Sequence, residues 1–167
     1  MTGALKIEKL DRRHDVDAFD CGKEPLNRFL ARYAMQNQKA SASQTYVGVD
    51  GDKIVGYYTL VVGEVAYDKA AERLKKGLAR HPVPVMILAR LAVATSAQGK
   101  GLGAGLLKDA ILRTLQAGDI AGIRAFVVHA KDDEAKAFYE RYDFTSSASD
   151  PYHLFVLFKD LRAFVGA

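Results

Sequence analysis

Between Gln98 and Gly105 the chain reads QGKGLGAG, with glycine at 99, 101, 103 and 105. The run separates an apolar stretch, VMILARLAV, from a helical-looking one, LLKDAILRTL. Glycine costs conformational entropy on folding, so alternate glycines mark a backbone that turns sharply or must be approached closely. A helix that follows offers free N–H groups to an anion. The spacing is not that of a Walker A loop, because Gly99-Lys100 is followed by Gly101 and no Ser or Thr is present to hold magnesium. Gly99, Gly101 and Ala104 satisfy an allowed form of the dinucleotide fingerprint G-x-G-x-x-G. That turn, however, belongs to a repeated parallel βαβ array, whereas this one comes after two antiparallel runs.

Cationic side chains form a second constellation. In YDKAAERLKKGLARH, Lys69, Arg73, Lys76 and Arg80 recur at i, i+4, i+7 and i+11. On a helix they share an arc of roughly 60°, opposite Ala70, Ala71, Leu74 and Leu78. Such a stripe can track phosphates, but by pattern alone it reads first as an ordinary solvated face. Gly77 weakens that helix by ~1 kcal/mol relative to alanine. Arg90 interrupts the apolar run, where an unpaired guanidinium would be expensive, so it either meets a carboxylate or points into a cleft. Arg28 and Arg32 read as solvated, and Cys21 as a small packed residue.

The elements that must position these groups follow from periodicity. ALKIEKL alternates as a strand. From Glu24 to Lys39, Leu26, Phe29, Leu30, Tyr33 and Ala34 recur with helical spacing. QTYVGVDGDKIVGYYTLVVGEV reads as a hairpin turning around Asp50-Gly51. Pro82 and Pro84 precede the buried strand, and Leu106, Leu107, Ala110, Ile111 and Leu115 form a helical stripe after the glycines. IRAFVVHA is a strand, DDEAKAFYERY a short helix capped by Asp132 or Asp133, and HLFVLF a final strand. The order predicts an α/β (α+β) architecture: a mixed, mainly antiparallel sheet with helices on both faces and a central β–Gly loop–α–β crossover.

With 167 residues, 49% of them apolar, the chain is expected to form one domain, 1–167. No apolar run approaches the ~20 residues of a membrane span, and the first residues lack a signal-peptide core. A single cysteine and four dispersed histidines argue against a disulfide and a metal site, with the cytoplasm as the expected compartment. The formal charge of +4 tilts the chain mildly toward polyanionic partners.

Gln98-x-x-Gly101-x-Gly103, after a buried strand and before a helix, resembles the [QR]-x-x-G-x-[GA] motif of the GNAT superfamily of acetyltransferases. The resemblance implies that Gln98, Gly99, Lys100, Gly101, Leu102, Gly103 and Ala104 surround the diphosphate of acetyl-CoA, with backbone N–H groups converging on it. HAKDDEAKAFYERYDF is similar to a second GNAT segment, A-x-x-F-Y-x-x-x-G-F, through Ala135, Phe138, Tyr139 and Phe144. It implies that Phe138 and Asp133 border the cofactor and that Tyr139 lies near the thioester sulfur. Asp143 stands where glycine is usual, and Asp132 and Asp133 stand where asparagine is common. Phe138 and Tyr142 are expected in the core; Tyr139, about 100° round the helix from Phe138, can face a cleft.

FDCGKEPLNRFL, IVGYYTL, PVPVMILARLAV, QGKGLGAGLLKDA and FVVHAKDDEAKAFYERYDF together resemble GNAT toxins of bacterial type II toxin–antitoxin systems. Such toxins acetylate the α-amino group of aminoacyl-tRNA and block translation. The resemblance implies a ribbon-helix-helix antitoxin, a homodimer, and a tRNA surface formed by Lys69, Arg73, Lys76, Arg80 and Arg90. It further implies that backbone groups of Leu91, Ala92 and Val93 hold the pantetheine. Tyr139 would donate a proton to the thiolate. An α-amino group, with a pKa near 8 against about 10.4 for lysine, needs no strong base, and residues 83–93 contain no carboxylate. Glu64, His129 or water remain as candidates for that base. A small-amine or protein N-terminal acetyltransferase, or a CoA-responsive binding module, are the competing readings.

Overall fold

The computed structural model describes residues 5–164. Seven strands, β1 (Lys6–Lys9), β2 (Gln44–Asp50), β3 (Lys53–Val65), β4 (Val83–Val93), β5 (Ala125–His129), β6 (Thr145–Ser146) and β7 (His153–Leu157), pair in the order β1-β2-β3-β4-β5-β7-β6. The sheet is mixed and mostly antiparallel, and β4 and β5 form a parallel pair joined through helix α4 (Leu102–Gly118). Helices α1 (Glu24–Arg28), α2 (Ala34–Lys39), α3 (Glu72–Lys75), α5 (Asp133–Glu140) and α6 (Phe158–Phe164) complete the chain. The strand expected at 4–10 is β1, with Ala4 outside the described residues.

By contacts the chain falls into two compact units, one of residues up to 61 with 89–110, the other of 62–88 with 111 onward. In the first, Leu30, Val47, Ile54, Val55, Tyr57 and Ala92 belong to one apolar core. Ile54–Leu60 of β3 are buried on both faces, as expected for a strand covered on either side. Their polar atoms are satisfied: Thr45 and Thr59 share a 2.8 Å hydroxyl contact, and Tyr58 donates to Asp109 at 2.6 Å. The second unit packs Ala70, Leu74, Val83, Val85, Val127 and Phe155 together.

Three expectations are corrected. The helix read from Glu24 to Lys39 is interrupted by a π-helical turn, Phe29–Tyr33, in which the Ala34 N–H donates to Phe29 O, five residues back. The extra residue per turn rotates Tyr33 off the apolar face, leaving it 48% exposed, while Phe29, Leu30 and Ala34 are buried. The glycine-loop helix starts at Leu102, four residues before its apolar stripe, so Gly103 and Gly105 lie inside its first turn. The last strand stops at Leu157 and the chain turns into α6, and the two-residue β6 carried no readable periodicity.

Gly56 lets β3 approach its neighbours: a Cβ there would lie 2.8 Å from Leu106 Cδ1 and 3.0 Å from the Ala92 carbonyl oxygen. Gly105 has nothing within 4 Å of such a carbon. Gly56→Ala is therefore expected to lower folding stability by about 1–3 kcal/mol. Gly105→Ala should raise it by up to ~1 kcal/mol in the same denaturant melts.

Candidate active site

Strand β4 leads directly into the glycine loop. Its parallel ladder with β5 runs from Val85↔Ala125 to Leu88↔Val128, and the strand then continues through Leu91, Ala92 and Val93. The Ala94 N–H donates to Val55 O at 2.8 Å, ending the strand against β3, and a tight turn of Thr95–Ala97 follows. Thr95 N–H donates to Asp20 O at 2.9 Å. The Gln98 side-chain nitrogen donates to Val93 O at 3.0 Å and to Cys21 O at 3.4 Å. Gln98 thus spends its amide nitrogen bracing the loop, a role the motif alone does not reveal.

Gly99 and Gly101 have φ of +78° and +82°, the left-handed region that side chains disfavour, and a Cβ on either would meet only open space. Their reason is backbone shape. The first helical bond of α4 is Gly105 N–H to Gly101 O, 3.1 Å. That leaves the N–H groups of Leu102, Gly103 and Ala104 without a backbone acceptor among the described residues, at the positive end of a 17-residue helix. Three such donors at one helix start, an exposed Lys100 beside them and no side chain on Gly103 or Gly105 suit an extended anion such as a diphosphate.

Arg90 is half-buried and packs on an aromatic ring. Its guanidinium carbon sits 3.7 Å from the centroid of Phe29, the first residue of the π-turn. Phe29 stacks on Tyr57 with centroids 6.4 Å apart. Tyr57, whose hydroxyl donates to Leu26 O at 2.8 Å, has its pKa pushed well up by burial, with Arg90 opposing. The cation is held over an aromatic face.

In the second unit, Asp132 caps α5 by accepting the Ala135 N–H at 2.8 Å. Asp133 accepts the Tyr152 hydroxyl at 2.5 Å, an acceptor bond that raises the Tyr152 pKa. Just beyond the helix, Asp143 has φ +69°, the left-handed conformation that a glycine would otherwise supply. Burial along α5 reverses the expectation: Phe138 and Tyr142 are half-buried, and Tyr139 is the buried one, at 6% exposure. Its ring lies 5.1 Å from Phe138 and 5.4 Å from Phe144, centroid to centroid. The π-turn has no counterpart here; a regular helix of eight residues simply packs Tyr139 inward. Yet the Tyr139 hydroxyl is not among the sealed, unpartnered polar atoms, which are His14 Nε2, Ser43 Oγ and Gln44 Oε1. Burial drives its pKa far above the ordinary phenol value. His129, exposed at the end of β5, faces His153 across the ladder. Glu64 is exposed on β3.

The basic stripe is not a helix. A turn of Tyr67–Lys69 precedes the single-turn α3, Lys76 leaves helical geometry, and Gly77 adopts φ +80°. Gly77 supplies that break, and no capping side chain holds the start at Ala71. The common arc of Lys69, Arg73, Lys76 and Arg80 is lost with it. Arg73 pairs with Asp160 at 3.4 Å and Arg80 with Asp68 at 2.7 Å, both on exposed surface. The apolar side docks as expected, with Ala70 and Leu74 buried. Among the described residues no cluster of three or more His, Cys, Asp or Glu could hold a metal. No described helix is long and apolar enough to cross a membrane.

This mixed sheet, with a parallel pair joined through a glycine loop and a 17-residue helix, is that of an acetyltransferase. Residues 41–146 match the acetyltransferase (GNAT) domain model, and the chain belongs to the GNAT acetyltransferase family. It is an N-acetyltransferase by fold and family. It is 42% identical, over 166 residues and 99% of both chains, to a tRNA-acetylating toxin of Mycobacterium tuberculosis. It also resembles the solved structure of AtaT complexed with acetyl-methionyl-tRNAfMet, with TM-score 0.87, 28% identity and coverage of 96% of this chain and 98% of that one. A variant of AtaT bound to acetyl-CoA and the C-terminus of the antitoxin AtaR superposes with TM-score 0.83 at 27% identity, covering 99% and 100%.

The Tyr139 assignment has a spectroscopic consequence. A phenolate buried at this site is disfavoured, so its folded pKa exceeds the unfolded value of about 10. The stability it contributes is complete below pH ~10 and is lost as the pH rises toward the folded pKa. The ultraviolet titration difference between wild type and Tyr139→Phe should show its step above pH 10; a step at or below 10 contradicts the burial.

Proposed function

We propose that this chain is a toxin that moves the acetyl group of acetyl-CoA onto the α-amino group of aminoacyl-tRNA, blocking translation. The observation that carries the choice of acceptor is the 42% identity, end to end, with a tRNA-acetylating toxin. The likeness to AtaT with acetyl-methionyl-tRNA and with antitoxin and acetyl-CoA supports the same reading. A ribbon-helix-helix antitoxin, a homodimeric state and a cytoplasmic setting belong to this proposal.

The residues divide the work by their chemistry. The amides of Leu102, Gly103 and Ala104 take the diphosphate, with Gln98 keeping the loop in shape and Lys100 adding charge. The β4 backbone at Leu91–Val93 binds the pantetheine arm as an added strand would. The neutral amine forms the new C–N bond while the C–S bond breaks; the amine loses a proton to water, Tyr139 gives its own to the departing sulfur, and water returns a proton to Tyr139, leaving the amide and the free thiol. Burial keeps Tyr139 protonated through the whole working range and also makes it a weak acid, so its proton is shared with the sulfur only as the thiolate forms and is replaced from water. Residues 83–93 carry no carboxylate, consistent with an acceptor amine of pKa near 8 that needs no strong base. Lys69, Arg73, Lys76, Arg80 and Arg90 supply cations for tRNA phosphates. The exposed carboxylates now on Arg73 and Arg80 are easily exchanged, since such pairs contribute only about 0–1 kcal/mol.

Purified protein given labelled acetyl-CoA should label charged tRNA, the label leaving with the amino acid on mild alkaline hydrolysis. Tyr139→Phe keeps the packing of the ring and should lower kcat about 10²–10⁴-fold with unchanged acetyl-CoA affinity. Label found only on peptide lysines or free amines, or full turnover by Tyr139→Phe, contradicts the proposal.

A further inference from the structure

Arg124, immediately before β5, belongs to none of the motifs, yet its side chain reaches the basic segment. Its Nε donates to Leu74 O at 2.8 Å, and its Nη2 to Lys76 O at 2.9 Å and Arg73 O at 3.5 Å. Two of these are carbonyls of α3 and the third is that of Lys76 just past its end, groups a one-turn helix cannot satisfy itself. The main chain of Arg124 is fixed on both sides: its N–H donates to Pro84 O and its carbonyl accepts the Phe158 N–H, each at 2.9 Å. The guanidinium therefore starts from a rigid base, and no carboxylate pairs with it among the described residues.

An isolated four-residue helix followed by a positive-φ glycine has little stability of its own. Leu74 anchors it from below through burial, and Arg124 closes its end. Two of the three carbonyls it holds belong to Arg73 and Lys76, cations assigned above to tRNA. A planar fork with donors at fixed angles meets several carbonyls at once, which an ammonium on a flexible stem does not reproduce. Its unneutralised charge also complements the negative end of the helix.

We infer that Arg124 is a positioning residue for nucleic-acid binding: its guanidinium clasps the α3 carbonyls and thereby presents Arg73 and Lys76 to tRNA phosphates. This rests on the aminoacyl-tRNA reading and adds a residue that does not itself touch the acceptor.

The test compares Arg124→Lys, Arg124→Met and the double variant Arg73→Gln/Lys76→Gln. Each is assayed on charged tRNA and on a short aminoacylated 3′-terminal fragment lacking the tRNA body, with amide exchange followed by mass spectrometry across 72–78. Both Arg124 variants should raise KM for charged tRNA roughly tenfold, the effect of losing one or two such hydrogen bonds. They should leave kcat and KM for the short fragment within about twofold and speed exchange at 75–78, methionine more than lysine. If the double variant raises the tRNA KM while both Arg124 variants leave it unchanged, the clasp is overturned and the tRNA reading stands. If the double variant also leaves it unchanged, the assignment of this segment to tRNA falls and takes the clasp with it. Equal losses on tRNA and fragment would mark Arg124 as merely structural and overturn the inference, a result the lysine variant delivers even if methionine unfolds the protein.

Discussion

Three backbone amides without a backbone acceptor among the described residues, at the start of a long helix, organise the first half of this molecule. Leu102, Gly103 and Ala104 come free because Gly99 and Gly101 turn through the left-handed region and the helical ladder begins only at Gly105. Such donors are costly to leave dry and favourable to give to an anion. Much of the surrounding structure keeps them in place. Ala94 is tied to β3, Thr95 to Asp20, and Gln98 laces the loop to the end of β4 and to Cys21. Gly56 and the double-sided burial of β3 bring the strand close enough for this lacing.

The proton donor proposed in the second half depends on a different physical effect. Tyr139 needs no partner to remain protonated, because the packed rings of Phe138 and Phe144 make the phenolate unfavourable. Desolvation holds the phenol neutral at the cost of its acidity, whereas a neighbouring cation would have made it a stronger acid. Aromatic packing recurs at Arg90, whose charge rests on Phe29 at the head of the π-turn. The irregular turn and the cation are thus one feature: the extra residue that rotates Tyr33 outward accompanies the burial of Phe29 beneath a guanidinium.

How much of this was legible in the sequence depends on the range of the interactions involved. The glycine loop, the hairpin at Gly51, the cap at Asp132 and the left-handed Asp143 follow from local rules and were readable. The π-turn was not, since apolar spacing at 29, 30, 33 and 34 fits a regular helix equally well. The basic stripe misled because charge periodicity says nothing of cohesion; one turn survives only where Leu74 is buried and Arg124 closes the end, both long-range contacts. The inward turn of Tyr139 came from packing with Phe144, which the 100° helical rule does not contain.

Arg73 and Arg80 are paired with carboxylates in the free protein, so the cationic surface is partly self-neutralised before any phosphate arrives. The diphosphate grip has no such competitor, which makes the amides the sharper point of test. In a nitrogen-15 NMR titration with coenzyme A, the amide resonances of Leu102, Gly103 and Ala104 should shift further than those of any other helix start. Coenzyme A that binds while those three resonances stay in place would contradict the account.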